Sequence, residues 1–325
     1  VDALSDVLKT VHLEGAVYLN AEFTAPWCVR GELGFASVRK RLAGAEHVAF
    51  FHFLTEGECK VRLVDSKEML EAKAGDLILL PQEGKHLLGT DLHLAPMESD
   101  AAITPPPSAD ADLFHMRHGG GGAATRFVCG YLALSRTVFR PVFEVLPPAM
   151  VIHLGDGPAA ALLRELFRAG VRESAVERPG AASTLAKLAD LLFVEALRRY
   201  MEGLPPGGKG WLAGVRDPQV GKALALLHGA PGKAWTVDDL AQEVALSRSA
   251  LAERFTALVG EPPMQYLTRW RLALAAQMLR AGRDPVIRIA ERAGYESEAA
   301  FSRAFKREFG VPPASWRKAI PVLSP

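Results

Sequence analysis

The last third of the chain repeats itself, and this repeat constrains the fold more than any other feature. Leu240, Ala241 and Leu246 return as Ile289, Ala290 and Tyr295 at a spacing of 49. Ser247, Leu251, Phe255, Gly260, Pro262 and Pro263 return as Ser297, Phe301, Phe305, Gly310, Pro312 and Pro313 at a spacing of 50. One additional residue in Gly294-Tyr295-Glu296-Ser297, against Ala245-Leu246-Ser247, accounts for the step. Each copy has the pattern of a helix-turn-helix. A small residue (Ala241, Ala290) lets two helices approach, and a small turn residue (Ala245, Gly294) follows four positions later. A serine (Ser247, Ser297) then starts a helix whose buried stripe is Leu251/Phe255 or Phe301/Phe305. Glycine and a Pro-Pro pair end each copy.

A helical solenoid or a dimerisation bundle would also use such hairpins. The polar faces of the second helices argue instead for double-stranded DNA. The first offers Arg248, Ser249, Ala252, Glu253 and Arg254, and the second Glu298, Ala299, Ser302, Arg303, Lys306 and Arg307. Hydrogen-bonding side chains on the first turns suit base edges, and flanking Lys or Arg suit phosphate. A helix over 264–280 lies between the copies and would hold the two reading helices one turn of DNA apart. The charge distribution agrees. Residues 212–325 carry a net charge of +5 and residues 1–211 one of −4, behind an overall +1.

These motifs resemble the DNA-binding domain of AraC/XylS-family transcription regulators. The likeness runs through Trp235-Thr-Val-Asp-Asp-Leu-Ala, Ser247 to Phe255, Tyr266-Leu-Thr-Arg-Trp-Arg-Leu-Ala-Leu-Ala-Ala and Ile289-Ala-Glu-Arg-Ala-Gly-Tyr-Glu-Ser. It ends in Phe301-Ser-Arg-Ala-Phe-Lys-Arg-Glu-Phe-Gly-Val-Pro-Pro. The resemblance implies that Arg303 and its neighbours read bases and that Lys306 holds phosphate. It also implies a promoter or operator as partner, a small-molecule or redox effector, a homodimer and, for an activator, RNA polymerase. One position departs from the pattern: Glu253 stands where the family often has Arg, two residues before the core Phe255.

The first half of the chain is different in texture. Segments 48–54, 60–64, 76–80 and 126–134 read as short strands between turns such as Glu56-Gly57 and Ala74-Gly75-Asp76, which suggests a β-barrel or jelly roll. His52-Phe-Leu-Thr-Glu-Gly57 and Gly75-Asp-Leu-Ile-Leu-Leu-Pro81-Gln-Glu-Gly84-Lys-His86 resemble the two sequence stretches of cupin barrels. In metal-dependent cupins the first stretch supplies His-x-His and a Glu, and the second a His five residues after the Pro. Pro81 and His86 keep that spacing, but Phe50 stands two residues before His52 and there is no His-x-His. The likeness therefore implies a sensor more than an enzyme, with a metal-dependent cupin enzyme carrying a helical interaction module as the alternative. His52, His86 and Cys129 are the candidate ligands of a transition metal such as Zn²⁺, whose borderline softness suits imidazole and thiolate. Packing roles for all three, and oxidant sensing with Cys28 or Cys59 as partner, stay open. Trp27 is a further candidate at an effector pocket.

The expected architecture is α+β and multidomain. A cupin-like β-barrel occupies 1–155, a helical connector and linker 156–211, and an all-α domain with two helix-turn-helix units 212–325. The segments 159–169 and 181–202 read as helices, and Leu-Pro-Pro-Gly-Gly-Lys-Gly over 204–210 as the linker. With 325 residues there is room for two domains. Three cysteines are too few for a disulfide framework, no apolar run is long enough for a membrane span, and the first residues lack a secretory pattern. The expectation is a cytoplasmic, sequence-specific DNA-binding regulator that senses a small molecule, a metal or an oxidant, with no catalytic residues and no membrane partner.

Overall fold

The computed structural model describes residues 2–10, 14–31, 47–82, 85–99, 103–104, 113–134, 142, 145–155, 157–175, 178–205 and 207–318. The chain forms two units. One contains residues 13–134 and 146–203, and the other residues 1–12, 135–145 and 204–325.

The first unit is built on two sheets. Strands β1 (Glu14–Thr24), β3 (His47–Glu56), β6 (Asp76–Leu80), β9 (Ile103–Thr104), β10 (Phe114–Gly119), β11 (Ala124–Leu134) and β12 (Met150–His153) form one, in the order β12-β6-β3-β11-β1-β10-β9. Strands β2 (Cys28–Gly31), β4 (Glu58–Leu63), β5 (Leu70–Lys73), β7 (His86–Gly89) and β8 (Met97–Glu98) form the other, in the order β5-β4-β7-β2-β8. Side chains alternate across a strand. Phe50 and Leu54 of β3 join Ile78, Leu80, Phe127 and Cys129 on the inner face, against Val29, Cys59, Val61 and Leu88 of the second sheet. Phe51 and Phe53 point the other way and are also buried. There the larger sheet is covered by α2 (Pro158–Ala175) and α3 (Ala181–Gly203), and Phe53 meets Phe167 with ring centroids 5.1 Å apart. Burial on both faces is why β3 reads as an almost unbroken apolar run. The apolar stripe Leu185, Leu188, Leu192 and Ala196 is the buried side of α3, and that helix packs on β1.

A barrel was the expectation, and the structure corrects it. Among the described residues the two sheets stay open. Their edge strands, β12 and β9 in one and β5 and β8 in the other, are not hydrogen-bonded across to close a ring. The layers are held face to face by inward side chains.

The second unit is helical. It comprises α1 (Ala3–Thr10), α4 (Trp211–Arg216), α5 (Pro218–Gly229), α6 (Val237–Glu243), α7 (Arg248–Val259), α8 (Pro263–Ala281), α9 (Val286–Arg292), α10 (Glu298–Phe309) and α11 (Pro313–Lys318). α1 packs on α5 and buries Ala3, Leu4 and Val7. The long α8 serves as a common wall. Tyr266, Leu267 and Trp270 are buried on it, while Leu272, Ala275, Ala276 and Leu279 form one core with Ile289, Ala290, Phe301 and Phe305.

Both copies of the repeat have the same local geometry. The N–H of Leu246 bonds to the carbonyl of Ala241, and that of Tyr295 to the carbonyl of Ala290, each at 2.9 Å. These bonds close α6 and α9 through a left-handed residue, Ala245 at φ +57° and Gly294 at φ +75°. Ser247 and Ser297 then accept the amides of Ala250 and Ala300, both at 3.2 Å, capping α7 and α10. Gly260 and Gly310, left-handed in turn, end those helices.

Candidate nucleic-acid interface and sensor site

On α7 the buried residues are Leu251 and Phe255; on α10 they are Phe301, Ala304 and Phe305. Arg248, Ser249 and Glu253 are exposed and Ala252 partly so, which puts every candidate from the first copy off the core. Glu298, Ala299, Arg303 and Lys306 are likewise exposed, with Ser302 partly so.

The basic groups differ between the copies. Arg254 is exposed but paired. Its guanidinium grips the Asp217 carboxylate through Nη2 at 2.6 Å and Nε at 3.0 Å. Asp217 also caps α5, accepting the amides of Gln219 and Val220 at 3.1 and 3.0 Å. Burial would raise this carboxyl, but the bonds from Arg254 and those two amides outweigh it and hold it below its ordinary value. Arg254 is thus a clamp between α7 and the start of α5. The sequence places it among the exposed polar residues of α7, as observed, but does not disclose its partner. The Asp217-Pro218 pair, a capping signal, was the available clue to its partner.

In the sheet unit, His52 and Cys129 are cross-strand partners on β3 and β11, so their side chains share the inner face. His52 Nδ1 lies 2.8 Å from Cys129 Sγ. Its other nitrogen, Nε2, lies 3.1 Å from His86 Nε2. His86 starts β7 in the other sheet, so this second contact bridges the two layers. Gly31 pairs with His86 on β2, and a Cβ there would come within 2.5 Å of His86 Nε2. A glycine is what leaves room for the ring, a role the sequence alone did not reveal. All three side chains are buried. Burial, and secondarily His86, holds the His52 imidazole well below its usual pKa, while burial pushes the Cys129 thiol up. The site at neutral pH therefore holds a thiol and a neutral His52. Two proton placements satisfy it. Either the thiol donates to Nδ1 and Nε2–H donates to His86, or His86 donates to Nε2 and Nδ1–H donates to sulfur.

The structure thus brings His52, His86 and Cys129 together, but as a chain and not as a shell. An ion held by all three needs one lone pair from each directed at a common centre. His52 turns its two nitrogens to opposite neighbours, and among the described residues no three His, Cys, Asp or Glu surround one point. The residues as arranged do not fit a three-ligand Zn²⁺ site. Trp27 is buried in the same core, stacked on Phe23 at 4.3 Å and edge-on to Phe127 at 5.8 Å. Its indole N–H has no acceptor among the described residues. Cys28, Cys59 and Cys129 are all buried free thiols.

Two families match the chain: one described as Cupin over residues 2–202, and a helix-turn-helix domain over residues 240–319. A putative AraC-like transcription regulator of Streptomyces lividans is 34% identical over 98% of each chain. The RCS-specific HTH-type transcriptional activator RclR of Escherichia coli K12 is 28% identical over 100% of each. Among solved structures, the DNA-binding domain of AdpA in complex with a target DNA is similar at 30% identity and a TM-score of 0.30, covering 32% of this chain and 92% of that one. The full-length relatives are regulators, not the metal-dependent enzymes that a cupin alone would allow. With a cupin domain leading and a helix-turn-helix domain following, the chain belongs to the AraC family of DNA-binding transcription regulators.

Proposed function

We propose that this regulator reads an asymmetric operator with two helix-turn-helix units, α6–α7 and α9–α10, and receives its controlling input at the Cys129–His52–His86 chain. The DNA half rests on one observation: two helices with the same serine cap, buried stripe and glycine stop, each exposing polar side chains away from the core. In this reading Arg248, Ser249, Ala252 and Glu253 of α7 face one major-groove segment. Glu298, Ala299, Ser302 and Arg303 of α10 face the next, and Lys306 neutralises a phosphate. The protein acts in the cytoplasm as a homodimer. As an activator, which is what the E. coli relative is named, it would also meet RNA polymerase.

The sensor half is supported by the buried proton chain that links the two sheets. A small molecule or oxidant that engages the Cys129 thiol removes its bond to His52 Nδ1 and frees that imidazole to turn, which loosens the His52–His86 contact that joins the layers. A selection of duplexes by the full chain, followed by titration against salt, tests the DNA reading. Arg303→Ala should weaken the specific site by about 1–3 kcal/mol and relax base preference. Lys306→Ala should weaken all duplexes alike and make the salt slope shallower. Equal loss of specificity from both substitutions would overturn these roles, and sedimentation as a monomer at working concentration would overturn the dimer.

A further inference from the structure

The 50-residue repeat sets Glu253 of α7 at the position of Arg303 of α10. Glu253 follows Leu251 by two residues and precedes Phe255 by two, and both of those are fully buried. At 100° per residue it therefore points directly away from the core. It is exposed, and among the described residues it has no hydrogen-bond or ion-pair partner. Its neighbours on that face, Ser249, Ala252 and Thr256, carry no charge.

Of the basic residues near Glu253, Arg254 is clamped on Asp217, and Arg248, just over one turn of helix earlier, makes an exposed pair with Asp238 at 3.3 Å. At the position equivalent to Arg254, α10 has Ala304, which is buried. The reading position thus carries a free carboxylate in one copy and an exposed guanidinium in the other. A carboxylate turned toward DNA is repelled by phosphate and is stabilised only by a base-edge donor. The major groove offers two, the amino groups of cytosine N4 and adenine N6. Adenine sets the N7 acceptor beside its donor, which repels a carboxylate, whereas cytosine has no acceptor there.

We propose that Glu253 is a specificity-determining residue that selects cytosine by accepting a hydrogen bond from its 4-amino group, while Arg303, its repeat equivalent, selects guanine. The two halves of the operator then demand opposite members of a G·C pair on the contacted strand. This inference rests on the DNA reading proposed above.

The test is selection from random duplexes with the full chain, wild type beside Glu253→Arg, Glu253→Ala and the reciprocal Arg303→Glu. The wild type should prefer cytosine at one position of one subsite by about tenfold or more. Glu253→Arg should convert that position to guanine, Glu253→Ala should leave it without preference, and neither should alter the other subsite. Arg303→Glu should convert the guanine of the second subsite to cytosine. Circular-dichroism melts confirm that each variant is folded. An unchanged base profile in both Glu253 variants overturns the role of Glu253, as does tighter binding of Glu253→Arg to every duplex without a change of base. Adenine at the wild-type position overturns the cytosine assignment. A wild type that enriches no duplex overturns the DNA reading itself.

Discussion

His228 shows how a single side chain can tie stability to pH. It is buried in the helical unit, nearly parallel to Trp270 with ring centroids 4.1 Å apart. Its Nε2 lies 2.6 Å from the Tyr266 hydroxyl, which in turn accepts from Trp211 Nε1 at 2.8 Å. With both neighbours in place the hydroxyl donates to a neutral imidazole. Burial depresses the pKa to about 4, from 6.5. The unfolded chain therefore binds a proton that the folded chain refuses between those values. Stability is complete above about pH 6.5 and falls as pH drops toward about 4, by roughly 3 kcal/mol from this residue. His52, depressed for the same reason, adds to the same slope. Urea melts of the wild type and of His228→Gln at several pH values check this. The variant should be less stable at pH 7 and flatter in its pH dependence, and a parallel pH profile would show that the imidazole is not the source.

At the scale of elements, the ends of α5 and α7 depend on one carboxylate. Asp217→Ala removes a helix cap and the partner of Arg254 together, and should cost about 1–2 kcal/mol in thermal or urea melts. Asp217→Asn keeps an oxygen for the cap and should lose less. The elements differ in how far they can be read from sequence. The repeat gives α7 and α10 their caps and stops, because a serine start, a period-3.6 stripe and a glycine end are all local signals. His86 is legible from its distance to Pro81, and the shared face of His52 with Phe50 from strand alternation. What could not be read depends on neighbours distant along the chain. Gly31 matters because His86 pairs with it across a sheet, and Arg254 turns to a carboxylate 37 residues earlier. The barrel expectation failed for the same reason: strand patterns specify which face is apolar, but not whether edge strands meet. Nor does any spacing encode ring direction, which makes His52 the middle of a chain between Cys129 and His86.

Across the whole molecule, the helical unit is assembled from three separate pieces of chain, with the sheets between the first piece and the last. Removing residues 2–10 takes Ala3, Leu4 and Val7 away from α5 and should destabilise the helical unit by on the order of 3 kcal/mol. Hydrogen exchange along 218–229 is the direct readout, and unchanged protection there would mean that α1 contributes nothing. The arrangement also dictates an order of events during synthesis. α1 leaves the ribosome more than 200 residues before α5, so its apolar side has no native partner while the sheets are being made. Widely separated segments meet at only a modest extra entropic cost, since closure grows slowly with loop length. The DNA-reading half of the protein is thus completed only after everything before it has been translated, and until then the Ala3–Thr10 segment, too short to hold a helix by itself, has nothing to fold against.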